Sequence, residues 1–249
     1  MIRDTWLFFG YEMRALMRNP VWPLLGLMQP VLYLLLFAPL FAGQAFNGDM
    51  GKALDVFAPG MLVMTALFSS FTAGYGTIME LKSGVLERLA VSPASRPSIL
   101  LGRMLRDTVM LLVQSAVFLV LGFVLGMRIG VVALLLMLLL MVATGLMAAG
   151  AAYGLALATK DENAMGSIMQ FVMLPLMLLS GALLPMAYGP AWLEKVAWFT
   201  PFYHPTEAGR ALFAGDFGDF NVLLGFVIML GLAALTISWS VRGLRRLAG

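Results

Sequence analysis

Long apolar runs alternate with short polar breaks along these 249 residues. A helix needs about 20 mostly apolar residues to cross the hydrocarbon core of a bilayer. Six segments reach that length: Val21 to Ala42, Phe57 to Met79, Met104 to Gly126, Val131 to Leu157, Ala164 to Pro185 and Phe220 to Val241. Period-two alternation is weak in them, and each far exceeds a barrel strand, which excludes a transmembrane β-barrel. The pattern predicts an all-α integral membrane protein with six transmembrane helices. No repeat, linker or low-complexity tract divides residues 1–249, so one domain is expected.

Three shorter patterns lie outside the spans. Ile2, Trp6, Phe9, Met13 and Leu16 recur at spacings of four and three, on one face of a helix. Arg3, Arg14 and Arg18 fall on the opposite side. Such an amphipathic helix over residues 1–20 is expected in the headgroup plane, with Trp6 and Phe9 buried and the arginines toward anionic lipid. It would serve as a simple anchor or as a mechanical element. Asn19-Pro20 ends it. Residues 186–219 carry Trp192, Trp198, Phe199, Phe202 and Tyr203, broken by Pro190, Pro201 and Pro205. Aromatics this dense favour the membrane interface, so short interfacial or re-entrant helices are expected there before the sixth span. The third pattern is the polar stretch Glu80 to Arg106, between the second and third spans.

Composition agrees with the pattern. Apolar residues make up 61% of the chain and charged ones 12%, against about 45–50% and about 25% in soluble domains. Placement of charge then sets orientation. The N-terminus, the second-to-third connection, the fourth-to-fifth connection and the tail together hold twelve of the sixteen Lys and Arg residues. The other side holds only Lys52, Arg128, Lys195 and Arg210. A positive-inside bias of this size puts both termini in the cytoplasm of a multi-pass cell (inner) membrane protein. The first twenty residues have no long apolar core and no small-residue cleavage pattern, so no signal peptide is expected.

The chemistry is defined mostly by what is missing. There is no cysteine, hence no disulfide framework and no thiolate metal site. No GxxxxGK[ST] phosphate loop occurs; Gly51-Lys52 lacks both the upstream glycine and the following hydroxyl. Ion-coupled transporters keep a carboxylate or histidine within their spans. Here the apolar cores hold none, and Arg106 and Asp107 stand only at the mouth of the third, where long side chains reach the headgroups. The cores do hold Gln29, Tyr33, Gln114, Tyr153 and Gln170, neutral groups that bond between helices or line a substrate path. The single histidine, His204, has no second histidine or cysteine with which to share a metal, so it is read as orienting a turn. Gly122-x-x-x-Gly126 and Gly150-x-x-x-Gly154 are read as small-residue faces for close helix packing.

The order ELKSGVLERLAVSPASR, followed by ILLGR at the entry to the third span, closely resembles the permease subunits of type-2 ABC exporters, the daunorubicin-type multidrug group above all. The family's acidic residue, Gly-x-Leu-Glu-Arg-Leu core and Ser-Pro step correspond here to Glu80, Gly84, Leu86, Glu87, Arg88, Leu89, Ser92 and Pro93, with Gly102 and Arg103 following. LLSGALLP, then Trp192, Pro201, Ala208 and Arg210, resemble its closing pattern. Val85 departs from the small polar residue that relatives often carry.

The resemblance implies a homodimer, or a heterodimer with a similar permease, carrying cytoplasmic ATPase subunits. ATP and magnesium would be bound by that ATPase and no cofactor by this chain, so the chain itself is no enzyme. Residues 80–106 would form a cytoplasmic coupling helix. Leu86, Leu89 and Val91 offer its apolar ridge, and Glu87 and Arg88 offer charges that set register. The expected activity is export of hydrophobic or amphipathic, drug-like molecules. Export of polysaccharide or lipid-linked glycan is the alternative within the family. An ion-coupled secondary transporter or a non-transport membrane component is the alternative outside it. Nucleic acid is not an expected partner; membrane lipid is.

Overall fold

The computed structural model describes residues 2–18, 21–45, 47–84, 96–183 and 185–246. Its elements in chain order are α1 (Ile2–Arg18), α2 (Val21–Ala45), α3 (Met50–Lys82), α4 (Arg96–Val124), α5 (Val131–Thr159), α6 (Glu162–Leu179), a 3-10 turn (Met186–Tyr188), α7 (Ala191–Trp198), α8 (Tyr203–Phe213) and α9 (Phe220–Arg246). Helices α2 to α6 and α9 are long and apolar enough to cross a membrane. The protein is an all-α, multi-pass membrane protein, with no strand among the described residues.

Helix α3 is the axis of the bundle. Every residue from Phe57 to Leu67 is buried, as befits a helix apolar all round. Helices α2, α4, α5, α6 and α8 all pack on it. By contrast α6 sits at the rim, with Phe171 82% exposed and Leu174 and Leu178 also facing outward.

The longest seam joins α5 and α9. A Cβ on Gly150 would lie 2.6 Å from Thr236 Oγ1, and one on Gly154 would enter the ring of Trp239. These two glycines therefore let the backbones approach, as small residues four apart do in membranes. The other glycine pair behaves differently, and its expected packing face is not there. Gly126 has φ +101 and closes α4: its N–H donates to Phe123 O at 3.1 Å, while Met127 N donates to Gly122 O at 2.9 Å. That is a Schellman ending, and the space above Gly122 is filled by Met127 of the same turn.

The fifth span also ends earlier than its hydropathy predicts. Gly181 takes a left-handed φ of +71, so α6 stops at Leu179 instead of running to Pro185. Ser180, buried, stabilises the break: its hydroxyl donates to Met177 O at 2.8 Å and accepts from Ala182 N at 3.3 Å. The next short helices are unequal. Helix α7 exposes Trp192 and Trp198, whereas α8 is buried among α3, α5 and α9.

Candidate functional site

The antiparallel run of helices gives the bundle two ends. The loop end carries α1, the two roots of segment 85–95 and the α5–α6 turn. The far end carries the α2–α3 and α4–α5 turns with α7 and α8. The turn between α5 and α6 is tight because Lys160 adopts φ 53 and Asp161 caps α6, its carboxylate accepting from Ala164 N at 2.7 Å.

The loop is rooted in the ends of two helices. Helix α3 ends at Lys82, and Gly84 follows with φ +70. Helix α4 begins at Arg96. Leu86, Glu87, Arg88, Leu89, Val91, Ser92 and Pro93 lie outside the described residues; Glu80 and Gly84 lie within them. An ion pair of 2.6 Å, Lys82 Nζ to Glu162 Oε2, joins the end of α3 to the start of α6. Both partners are well exposed, so it contributes at most about 1 kcal/mol.

Beneath the roots lies a buried ionic cluster assembled from four helices. Arg103, Arg106 and Asp107 fall three and four residues apart, on one face of α4. Arg103 Nε donates to Glu12 Oε1 of α1 at 3.0 Å, and the same guanidinium pairs with Glu80 of α3. Arg106 Nη1 donates to the second oxygen, Glu12 Oε2, at 2.7 Å. Arg106 Nε and Nη2 both donate to Asp107 Oδ1, at 2.9 and 2.7 Å. The Tyr153 hydroxyl of α5 donates to Asp107 Oδ2. Arg103 is 3% exposed, Glu12 4% and Tyr153 1%. Charges so deeply withdrawn from water are tolerable only when every one is paired and hydrogen-bonded. Planar guanidinium forks meet that demand, since each can serve two carboxylates at once.

This arrangement corrects the expectation for Arg106 and Asp107. Neither reaches outward to headgroups: their side chains are 17% and 14% exposed and turn inward. The reason is α1, which lies across the first turns of α4 and brings Glu12 as counter-charge. Its approach depends on Gly102, where a Cβ would lie 2.7 Å from Phe8 Cβ and 3.0 Å from both Phe9 N and Thr5 O.

Helix α1 thus has three faces. Thr5, Phe8 and Glu12 meet α4; Trp6, 66% exposed, and Met17, 75% exposed, form an open apolar side; Arg3, Arg14 and Arg18 are exposed. Phe9, Met13 and Leu16 are half-buried, and the side chain of Ile2 lies outside the described residues.

The neutral polar residues of the spans are not gathered in one place. Gln29 Nε2 donates to Tyr33 on its own helix at 3.1 Å. Gln114, buried on α4, faces α2, where a Cβ on Gly26 would lie 3.4 Å from its amide nitrogen. Gln170 is exposed on α6, and Tyr153 belongs to the ionic cluster. A small cavity beside Asp107, lined by Ser69, Ser70, Leu111, Gly145 and Ala149 among others, contains none of the five.

Comparison with known proteins places this arrangement. Daunorubicin resistance ABC transporter permease protein DrrB1 of Streptomyces coeruleorubidus is 28% identical over 235 residues, covering 92% of this chain and 82% of that protein. A putative transport permease, ycf38, of Cyanophora paradoxa is 30% identical over 207 residues, covering 80% and 70%. The probable multidrug ABC transporter permease YbhR of Escherichia coli K12 is 26% identical over 160 residues, covering 63% and 40%. The family model for the ABC-2 type transporter matches residues 3–214. This chain, a six-helix membrane bundle with an amphipathic first helix and a polar second-to-third connection, therefore belongs to the ABC-2 type transporter family, as one of its permeases.

Proposed function

We propose that this chain is the membrane-spanning subunit of an ATP-driven exporter, moving hydrophobic or amphipathic small molecules out of the cytoplasm while a separate subunit hydrolyses ATP. The observation that carries the reading is the loop end itself. Both roots of segment 85–95, the ends of α3 and α4, are tied through one guanidinium, Arg103, into a buried ionic cluster. A loop that only satisfied a charge bias would need no such footing. Drug export is favoured by the similarity to permeases named for daunorubicin resistance and for multidrug transport.

In this reading the loop end faces the cytoplasm, with both termini, in accord with the twelve-to-four distribution of Lys and Arg. Two copies, or one copy and a similar permease, would carry two ATPase subunits. The ridge Leu86, Leu89 and Val91 would enter a groove on the ATPase, with Glu87, Arg88, Ser92 and Pro93 setting register. ATP and magnesium would stay with that partner.

The test compares the purified chain, the chain with its ATPase, and loop variants in inside-out vesicles supplied with daunorubicin as probe. The chain alone should hydrolyse no ATP. With its partner, uptake should require ATP. Leu89→Asp should abolish uptake while leaving membrane insertion intact, because a carboxylate cannot enter an apolar groove. Robust hydrolysis by the isolated chain, or normal uptake by Leu89→Asp, would sink the reading.

A further inference from the structure

We propose that Glu12 is a positioning residue for coupling: it fastens α1 to both roots of the loop, so that α1 and the roots move as one body when the ATPase displaces the loop. The inference rests on the exporter reading and deepens it by assigning α1 a part in the drive.

Three observations lead to it. First, α1 packs principally on α4, so it is attached along one seam, and Glu12 lies on that seam. Secondly, the two oxygens of Glu12 are divided between Arg103 and Arg106, at 3.0 and 2.7 Å, and Arg103 also holds Glu80. One carboxylate on α1 therefore reaches the α4 root directly and the α3 root through one guanidinium. Thirdly, the seam is fitted at main-chain distance: Gly102 leaves room for Thr5 O and Phe9 N and for nothing more.

Packing alone would not demand this chemistry. A buried ionic cluster is often no more stabilising than apolar side chains of the same volume, and its distinguishing property is a single defined geometry. The remaining faces of α1 complete the lever. Trp6 and Met17 are open and apolar, and the arginines are exposed, so the helix can bear on a membrane surface. A displacement imposed at the loop would be delivered through Glu12 to a helix braced against lipid.

The absence of cysteine makes the test direct. Spin labels at Met17→Cys and Ser83→Cys report the distance from α1 to the α3 root, and a second pair at Ser83→Cys and Asp216→Cys reports the two ends of the bundle. All three positions are exposed. Both pairs are measured in the complex with the ATPase, nucleotide-free and trapped with ADP and vanadate.

The first pair should give one narrow distribution that is the same in both states, while the second pair shifts. Glu12→Gln should broaden the first distribution and make it differ between states, with ATP-driven uptake lowered about tenfold, as expected for lost coupling. Glu12→Asp should restore the narrow distribution and most of the uptake. A first-pair distance that changes on trapping in the wild type, or stays narrow in Glu12→Gln, would overturn the role of Glu12 and leave the exporter reading standing. A second pair that does not move on trapping would sink both.

Discussion

The two ends of the bundle each hold buried charge, but they hold it in opposite ways. At the loop end, carboxylates and guanidiniums are shared. Glu12 serves two arginines and Arg103 serves two carboxylates, so each keeps a partner when one bond is lost. At the far end a single cation, Arg210 of α8, binds Glu207 through one nitrogen and spends the others on main-chain oxygens: Gly181 O beyond the end of α6, and Val56 O of α3 at 3.3 Å. Val56 lies in the turn before Pro59, whose missing N–H leaves the neighbouring carbonyl of Asp55 without its helix donor. Side-chain pairs can exchange partners with small rotations, whereas main-chain carbonyls cannot move to follow. The ties of the loop end are shared among side chains, and those of the far end hold three elements in one arrangement.

The sharpest way to break this comparison is to remove one charge at each end. Arg210→Ala leaves the part-buried Glu207 and two carbonyls unserved, which should cost about 2–3 kcal/mol. Arg210→Lys should recover only part, because an ammonium cannot span three acceptors placed for a planar fork. Glu80→Gln leaves Arg103 bound to Glu12, and Glu80 is itself 31% exposed, so its cost should be about 1 kcal/mol. Thermal unfolding in detergent, followed by tryptophan fluorescence, ranks the three. Equal losses for Arg210→Ala and Glu80→Gln would erase the distinction.

A second contrast uses glycines. A Cβ on Gly60 would collide with the main chain of Ala182, and one on Gly102 with Phe8 Cβ of α1, close against Phe9 N and Thr5 O. At Gly60 the obstacle is pinned by Arg210 and the Ser180 bonds. Gly60→Ala should therefore cost about 1–3 kcal/mol as overpacking. At Gly102 the obstacle is a helix attached along one seam. Gly102→Ala should change the unfolding midpoint less but speed proteolysis within residues 2–18. A Gly102 variant that lowers the midpoint as far as Gly60→Ala, with α1 still protected, would show that α1 belongs to the core.

What the sequence makes legible follows from range. Six spans can be read because twenty consecutive apolar residues are a local signal, and α1 because its period shows within seventeen residues. The family resemblance is carried by a contiguous motif. The ionic cluster is not legible in this way: Glu12 and Arg103 are 91 residues apart, and Glu12 is one of two acidic residues on a helix whose pattern is set by Trp6 and the arginines. The spacing of Arg103, Arg106 and Asp107 beside Gly102 was the available signal, three charges on one face of a helix about to enter lipid. Arg210 is harder still, since two of its acceptors are carbonyls with no mark in the sequence. The early end of α6 escapes for a related reason, because Gly181 matters through its φ and not its hydropathy.

The smallest effect expected is a pH dependence confined to the far end. His204, the only histidine, sits in the first turn of α8 at 7% exposure. Its Nε2 is 2.9 Å from Trp198 O, and as the partner is a carbonyl, this nitrogen carries the proton and donates. Burial holds the imidazole below its ordinary value of 6.5, with the bond to Trp198 opposing in part. The folded protein therefore binds a proton less readily than the unfolded chain, for which 6.5 applies. Stability from this group is complete above that value and is lost as pH falls through it. Each pH unit between the two titrations is worth about 1.4 kcal/mol. The unfolding midpoint should fall between about pH 7.5 and about pH 5.5. His204→Gln, which keeps a donor for Trp198 but cannot titrate, should remove that part of the slope. A slope unchanged in His204→Gln would assign the sensitivity to another group and free His204 from any part in the far-end lock.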